Sequence, residues 1–103
     1  MITPKEKNYG NHVYNLYAIR FKNRDNLFDF LKQRNIGTTI HYPIPIPLQK
    51  AYGFLGAKKG SFPVAEKVAG EIIALPIYPE LRKEEIEYVC ESIKNFVNSI
   101  KYN

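Results

Sequence analysis

Three alternating prolines constrain what the middle of this 103-residue chain can fold into. They occupy positions 43, 45 and 47 of the stretch from residue 37 to residue 52, which reads GTTIHYPIPIPLQKAY. Each proline fixes its own φ near about −65° and pushes the preceding residue out of the helical region. We therefore predict a stiff, extended segment without internal hydrogen bonds. It can serve as a rigid connector, the commoner case for such loops, or as one wall of a binding site.

Length and composition predict one soluble domain. Hydrophobic residues make up 45% and charged residues 24%, and the formal net charge is +5. The fifteen basic residues are scattered, with at most two side by side, which argues against nucleic acid as a partner. The single cysteine, Cys90, excludes an internal disulfide and a cysteine-based zinc site. No apolar run approaches transmembrane length and no signal-peptide core is present, so we predict no membrane association and a cytoplasmic location.

The hydrophobic pattern predicts an α+β fold with a small, mostly antiparallel sheet covered by helices. Residues 1–10 are polar and have the character of a tail or linker remnant. The predicted elements are a strand over 12–21, a helix from Asn23 or Asp25 to about Arg34, a strand over 36–42, short helices starting at Pro47 and Pro63, and an extended segment over 75–79. Because two strands are too few for a stable sheet, we expect a further strand from 74–79 or from a partner domain.

The last predicted helix carries a continuous apolar stripe, which we expect to pack completely into the core. Its members are Ile86, Val89, Cys90, Ile93, Phe96, Val97 and Ile100. The same 3.6-residue spacing predicts buried faces in the two shorter helices, from Leu48, Ala51, Tyr52 and Leu55 in one and from Val64, Ala65, Val68, Ile72 and Ile73 in the other.

Spacing alone predicts little chemistry. No glycine-rich phosphate loop, HExxH motif or Gly-x-Ser-x-Gly motif occurs, and neither His12 nor His41 has a carboxylate at metal-ligand spacing, so no metal site is predicted. His41 ends the second predicted strand, where a lone histidine is more often structural than a catalytic base, although imidazole can transfer protons near neutral pH. Asn15 interrupts an apolar strand face and is more often a hydrogen-bonded structural residue than a ligand contact.

Three ordered motifs closely resemble the C-terminal part of the DegT/DnrJ/EryC1/StrS aminotransferases. They are the block over 37–52, FPVAEK over 62–67 and LPIYPEL over 75–81, and the segments YNLYAIR over 14–20 and NRD over 23–25 are also similar to the family. The resemblance extends from about residue 11 to residue 97. The sequence around IHYPIP and FPVAE looks most like the branch of the family that makes 3-amino-3,6-dideoxyhexoses on dTDP.

The resemblance implies pyridoxal phosphate (PLP)-dependent amination of keto groups on nucleotide-linked sugars. It also implies that residues 11–103 form only the small domain of a fold-type I aminotransferase. In the family the large domain carries the PLP phosphate site, the carboxylate against the ring nitrogen and the Schiff-base lysine, and the chemistry needs these groups together. We therefore expect no cofactor-binding or catalytic residue in this chain, which would need a large domain or a homodimer partner for activity.

The resemblance further implies that His41 and Tyr42 contact the nucleotide sugar, with Gln49, Tyr52 and Asn15 as weaker substrate-binding candidates. The family commonly has histidine in the slot of Pro47, and often where Asn15 stands. These departures fit relaxed selection on catalysis, a changed substrate or a truncated gene product. The alternative is a free-standing module that binds a nucleotide sugar or another protein without catalysis.

Overall fold

The computed structural model describes residues 1–101, and within them it confirms the α+β class with a small antiparallel sheet. The elements in chain order are β1 (Tyr17–Arg20), α1 (Arg24–Gln33), two 3₁₀ helices (Ile46–Leu48 and Lys50–Leu55), α2 (Pro63–Glu71), β2 (Ile72–Leu75) and α3 (Lys83–Lys101). Tyr102 and Asn103, at the end of the predicted 11–103 domain, lie outside the described residues.

The core lies between the sheet and helices α1 and α3. Strands β1 and β2 pair antiparallel with Ile19 directly opposite Ile73, and both side chains are fully buried. Leu27 and Leu31 of α1 are buried in the same cluster, as the spacing of that helix predicts. The other buried members are Phe21, Ile36, Ile93 and Phe96. One side of the sheet is thus covered by two helices whose apolar faces meet over it.

The first strand is shorter than the predicted range 12–21. Tyr14 adopts a left-handed φ of 50°, and its backbone N–H donates to Nδ1 of His12 at 2.8 Å. This local bond competes with a sheet ladder, and Val13 is exposed as a result. Within the predicted tail, Ile2 exchanges two 2.9 Å backbone hydrogen bonds with Arg20, so β1 lies between β2 and this bridge.

The second strand, predicted over 36–42, is reduced to a single bridge between Thr39 and Ala74. The prolines from Pro43 onward lack the N–H groups that a ladder needs, so pairing could not continue past Tyr42. The further strand expected over 74–79 is β2, which begins at Ile72 and ends before Pro76. The assignment of Ile72 and Ile73 to the preceding helix was therefore wrong, as their β-branched side chains fit a strand.

Most helix ends lie where the sequence predicts them, but two apolar faces that were predicted to be buried are largely exposed. Pro63 is the first residue of α2, Asn35 takes the left-handed position after α1 with φ 61°, and Gly56 ends the 3₁₀ region with φ 79°. The helix predicted from Pro47 is instead a pair of 3₁₀ turns, in which Ala51, Tyr52 and Leu55 are exposed and Leu48 is half-buried. The first turn begins at Ile46, so the prediction of an extended segment without internal hydrogen bonds was wrong for its last residues. Val64 and Ala65 of α2 are also exposed.

Packing within this chain explains only part of α3. Ile93 and Phe96 are buried, whereas Ile86 and Cys90 are exposed. The prediction that Cys90 packs into the core was therefore wrong. The apolar stripe of α3 is wider than the surface that α1 and the sheet cover.

Ser92 on α3 is a site where stability can be gained. Its side chain is 1% exposed, and among the described residues its hydroxyl has no hydrogen-bond partner. Because a buried, unpaired hydroxyl is unfavourable and alanine is a better helix former, we expect Ser92→Ala to raise the free energy of unfolding by about 1 kcal/mol. Urea denaturation measures this change.

The control for that substitution is Ser99→Ala in the same helix. The Ser99 hydroxyl donates to the Phe96 carbonyl oxygen at 2.7 Å, so its removal should not stabilise the chain in the same way. A Ser92→Ala chain that is less stable than the wild type would show that the hydroxyl is paired.

Candidate functional site

Residues 43–49 contain the three alternating prolines, and we call them the proline segment. An apolar groove lies between this segment and the start of α2, with a volume of about 740 Å³. We call it the proline groove. One wall is formed by His41, Tyr42 and residues 44–47, the other by residues 61–65 and Val68, and Ala69 and Ile72 also line it. Proline and isoleucine at alternating positions make the first wall rigid and apolar. Such a surface suits the flat apolar faces of a ligand or of another protein.

His41 and Tyr42 stand together in this groove. Their rings meet edge to face, with centroids 5.3 Å apart and planes inclined by 86°. Both are exposed, and with Ser61 they are the polar side chains of the lining. An imidazole and a phenol can each donate a hydrogen bond to, or accept one from, the hydroxyl or phosphate groups of a ligand.

The other three sequence candidates lie apart from the groove lining. The Nε2 of Gln49 donates to the Ile44 carbonyl oxygen at 3.2 Å, a contact within the proline segment. Tyr52 is exposed on the second 3₁₀ helix. Asn15 lines a separate cleft. The structure thus brings together His41 and Tyr42 only, and the binding role of all five residues stays a prediction.

The second cleft, of about 680 Å³, runs from Asn15 along residues 35–39 and 74–78 to the start of α3. Two of its charged groups, Arg82 and Glu85, pair with each other. Glu85 accepts the backbone N–H of Arg82 at 3.0 Å, and this bond, with the Arg82 guanidinium, lowers the pKa of the Glu85 carboxyl. The Tyr78 hydroxyl donates to Glu85 at 3.3 Å, and desolvation followed by the carboxylate charge raises the pKa of Tyr78. These groups stabilise the first turn of α3, and the remaining carboxylate of the lining, Glu84, is exposed.

Comparison with known proteins identifies the family. The model of the DegT/DnrJ/EryC1/StrS aminotransferase family matches residues 1–94. The chain belongs to this family. A pleiotropic regulatory protein of Geobacillus stearothermophilus is 45% identical over 96 residues, which cover 93% of this chain and 26% of that protein. The dTDP-3-amino-3,6-dideoxy-α-D-galactopyranose transaminase of Aneurinibacillus thermoaerophilus is 40% identical over 85 residues, covering 82% of this chain and 23% of the enzyme.

A solved structure shows the same relation. The crystal structure of Streptomyces venezuelae DesV in complex with a ketimine intermediate matches with a TM-score of 0.88 and 32% identity. The match covers 92% of this chain but 26% of DesV. This aminotransferase family member thus spans about a quarter of the length of the relatives that it matches.

The residues present do not fit the cofactor of such enzymes. PLP chemistry needs a lysine amine and a carboxylate against the ring nitrogen at one place. In the part of the chain that the structure describes, neither cleft has a lysine in its lining, and the proline groove has no carboxylate. Nor do three His, Cys, Asp or Glu side chains of residues 1–101 come together as metal ligands.

No helix in residues 1–101 combines the length and the apolar character needed to span a bilayer.

Two residues whose hydrogen bonds fix the backbone next to the proline groove were not identified from the sequence. The Glu66 carboxylate accepts the backbone N–H groups of Gly60 at 2.8 Å and Phe62 at 3.0 Å, which fixes the turn leading into α2. A glutamate in the first turn of a helix is a known capping signal and was available for that inference. The buried Arg24 binds the carbonyl groups of Ala69 and Ile72, and no local pattern indicates that contact.

Proposed function

We propose that this chain forms the C-terminal small domain, residues 11–103, of a PLP-dependent sugar-nucleotide aminotransferase, which transfers an amino group to a keto sugar linked to dTDP. A large domain, in the same assembly or from a partner subunit, holds the PLP and performs the chemistry. The observation that carries the proposal is the match to DesV, which covers nearly all of this chain and a quarter of the enzyme. The transaminase name of the Aneurinibacillus relative supports the dTDP-linked substrate.

The shape of the chain supports a role as one domain of a larger protein. Its radius of gyration is 15.9 Å, whereas a compact domain of this length has about 13 Å. Large apolar side chains are exposed along residues 42–64, and they are Tyr42, Ile44, Ile46, Tyr52, Phe54, Leu55, Phe62 and Val64. A concentration of exposed apolar groups marks a contact surface, and we assign this one to the large domain or a partner subunit.

Within the assembled enzyme, His41 and Tyr42 would bind the nucleotide sugar from the proline groove. Hydrogen bonds from their side chains to sugar hydroxyls or phosphate oxygens orient the sugar against the apolar walls of the groove. Asn15, Gln49 and Tyr52 are weaker candidates because they lie outside the groove lining.

A chimera tests the proposal. This chain replaces the matched quarter of S. venezuelae DesV, and the chimera is expected to transfer an amino group to the substrate of DesV. In this chimera His41→Ala should raise the KM for the nucleotide sugar about tenfold, the value of one hydrogen bond to a charged group. Steady-state kinetics with varied sugar nucleotide measure the effect.

The matched control is His12→Ala, which changes the other histidine of the chain, outside the proline groove. It should leave KM within about twofold, as expected for a surface change. A folded, dimer-competent chimera without activity would overturn the proposal. So would a saturable absorbance change, at one PLP per chain, that is lost when one particular lysine of this chain is replaced.

The alternative is a free-standing module that binds a nucleotide sugar but does not react with it. The name of the Geobacillus relative, a regulatory protein, favours testing this function. It predicts NMR shifts centred on His41 and Tyr42 when a dTDP-sugar is added to the isolated chain. No shifts at millimolar ligand would count against it.

A further inference from the structure

We infer that Gln49 is a positioning residue for the proline groove rather than a ligand contact. Its side-chain amide holds the segment from Ile44 to Gln49 in the closed shape that lines the groove. The effect of this contact on a ligand rests on the proposed function, but the contact itself does not.

The proline segment has few backbone hydrogen-bond donors of its own. Pro43, Pro45 and Pro47 have no N–H, so carbonyl groups along the segment find few local partners. The Nε2 of Gln49 reaches back five residues and donates to the Ile44 carbonyl oxygen at 3.2 Å. A side-chain amide thus takes the place of the backbone donors that the prolines remove.

Backbone bonds close the rest of the same loop. The Leu48 N–H donates to the Pro45 carbonyl oxygen at 2.9 Å, and the Gln49 N–H donates to the Ile46 carbonyl oxygen at 3.1 Å. The backbone carbonyl of Gln49 in turn accepts the Tyr52 N–H at 2.9 Å, which joins the loop to the second 3₁₀ helix. Gln49 is therefore the residue at which the proline segment is tied to the structure that follows it.

Packing gives this loop little additional order. Ile44 and Ile46 are 52% and 53% exposed, so their burial against the rest of the chain is incomplete. Both line the proline groove, and Tyr42 lies two residues before Ile44. Loss of the Gln49 contact is therefore expected to move the groove wall and the residues that we propose as ligand contacts.

NMR on the ligand-free chain tests the contact. One hydrogen bond should slow exchange of one of the two Gln49 Nε2 protons about fivefold relative to those of Gln33, the other glutamine, which is exposed at the end of α1. Gln49→Glu and Gln49→Met, which both remove the donor, should shift the backbone signals of Ile44 and Ile46. Gln33→Glu, the charge-matched control, should not.

Kinetics in the DesV chimera separate positioning from ligand contact. Gln49→Met should raise KM about fivefold and leave kcat within about twofold. A raised KM without shifts in the ligand-free chain would mean that Gln49 contacts the ligand directly, and it would overturn the inference. Unchanged shifts with equal exchange rates for both glutamines would overturn it as well. A folded, dimer-competent chimera without activity refutes the proposed function, whereas the ligand-free NMR still decides the role of Gln49.

Discussion

Leu31→Ala is expected to lower the free energy of unfolding by about 3 kcal/mol, a large part of the stability of a chain this size. The Leu31 side chain is completely buried, and it belongs to the cluster in which Ile19 and Ile73 pair across the sheet. Alanine leaves a cavity between α1 and the sheet that the paired strands cannot fill by moving. Urea denaturation followed by circular dichroism measures the change.

Leu55→Ala is the matched control, because the same atoms are removed from a side chain that is 63% exposed. Its effect should stay within about 0.5 kcal/mol. Equal losses for both leucines would contradict the assignment of the core to the sheet, α1 and α3. It would place Leu55 in a buried environment, such as the interface of a self-associated form.

Features set by neighbouring residues could be predicted from the sequence. Pro63 starts α2 because a proline fits the first helical position, and Asn35 follows α1 because asparagine tolerates a positive φ. The buried positions of α1 follow from their spacing. Each of these outcomes depends on contacts within one turn of helix, which the local sequence contains.

Strand boundaries depend on pairing partners that lie far along the chain, so they were harder to predict from the sequence. Ile72 and Ile73 continue the apolar spacing of α2, and only the pairing of Ile73 with Ile19 shows that they leave the helix. The strand before the prolines retains one bridge because Thr39 alone meets β2. Pairing of this kind is decided by tertiary contacts, for which periodicity gives no partner.

The exposed apolar faces show a second limit. Spacing predicts that Val64 and Ile86 are buried, but it does not say against what. Both are exposed in this chain. The same pattern is explained if these faces contact parts of a longer family member, which the proposed function requires. In the candidate site, motifs singled out His41 and Tyr42, whereas the hydrogen bond of Gln49 to Ile44 depends on the path of the loop between them, which no local pattern indicates.

Arg24→Met is expected to lower the free energy of unfolding by about 2–3 kcal/mol, since hydrogen bonds from a charged donor are lost in a buried place. The Arg24 residue is 6% exposed, and its guanidinium donates to the carbonyl oxygens of Ala69 at 2.9 Å and Ile72 at 2.8 Å. Carbonyl groups at a helix C-terminus lack partners within the helix and attract a cation. Arg24 therefore caps the end of α2 from the first turn of α1.

Arg82→Met separates this role from the general effect of removing an arginine. The Arg82 side chain is 74% exposed and pairs with Glu85, so its loss should change stability by less than about 0.5 kcal/mol. Arg24→Lys should fall between wild type and Arg24→Met, because an ammonium keeps the charge but not the planar donor geometry. Ala69 and Ile72 also line the proline groove, so chains that lose the Arg24 contacts should show NMR shifts at His41 and Tyr42 as well. An Arg24→Met chain as stable as the wild type would mean that water satisfies both carbonyl groups, and that α2 needs no cap from α1.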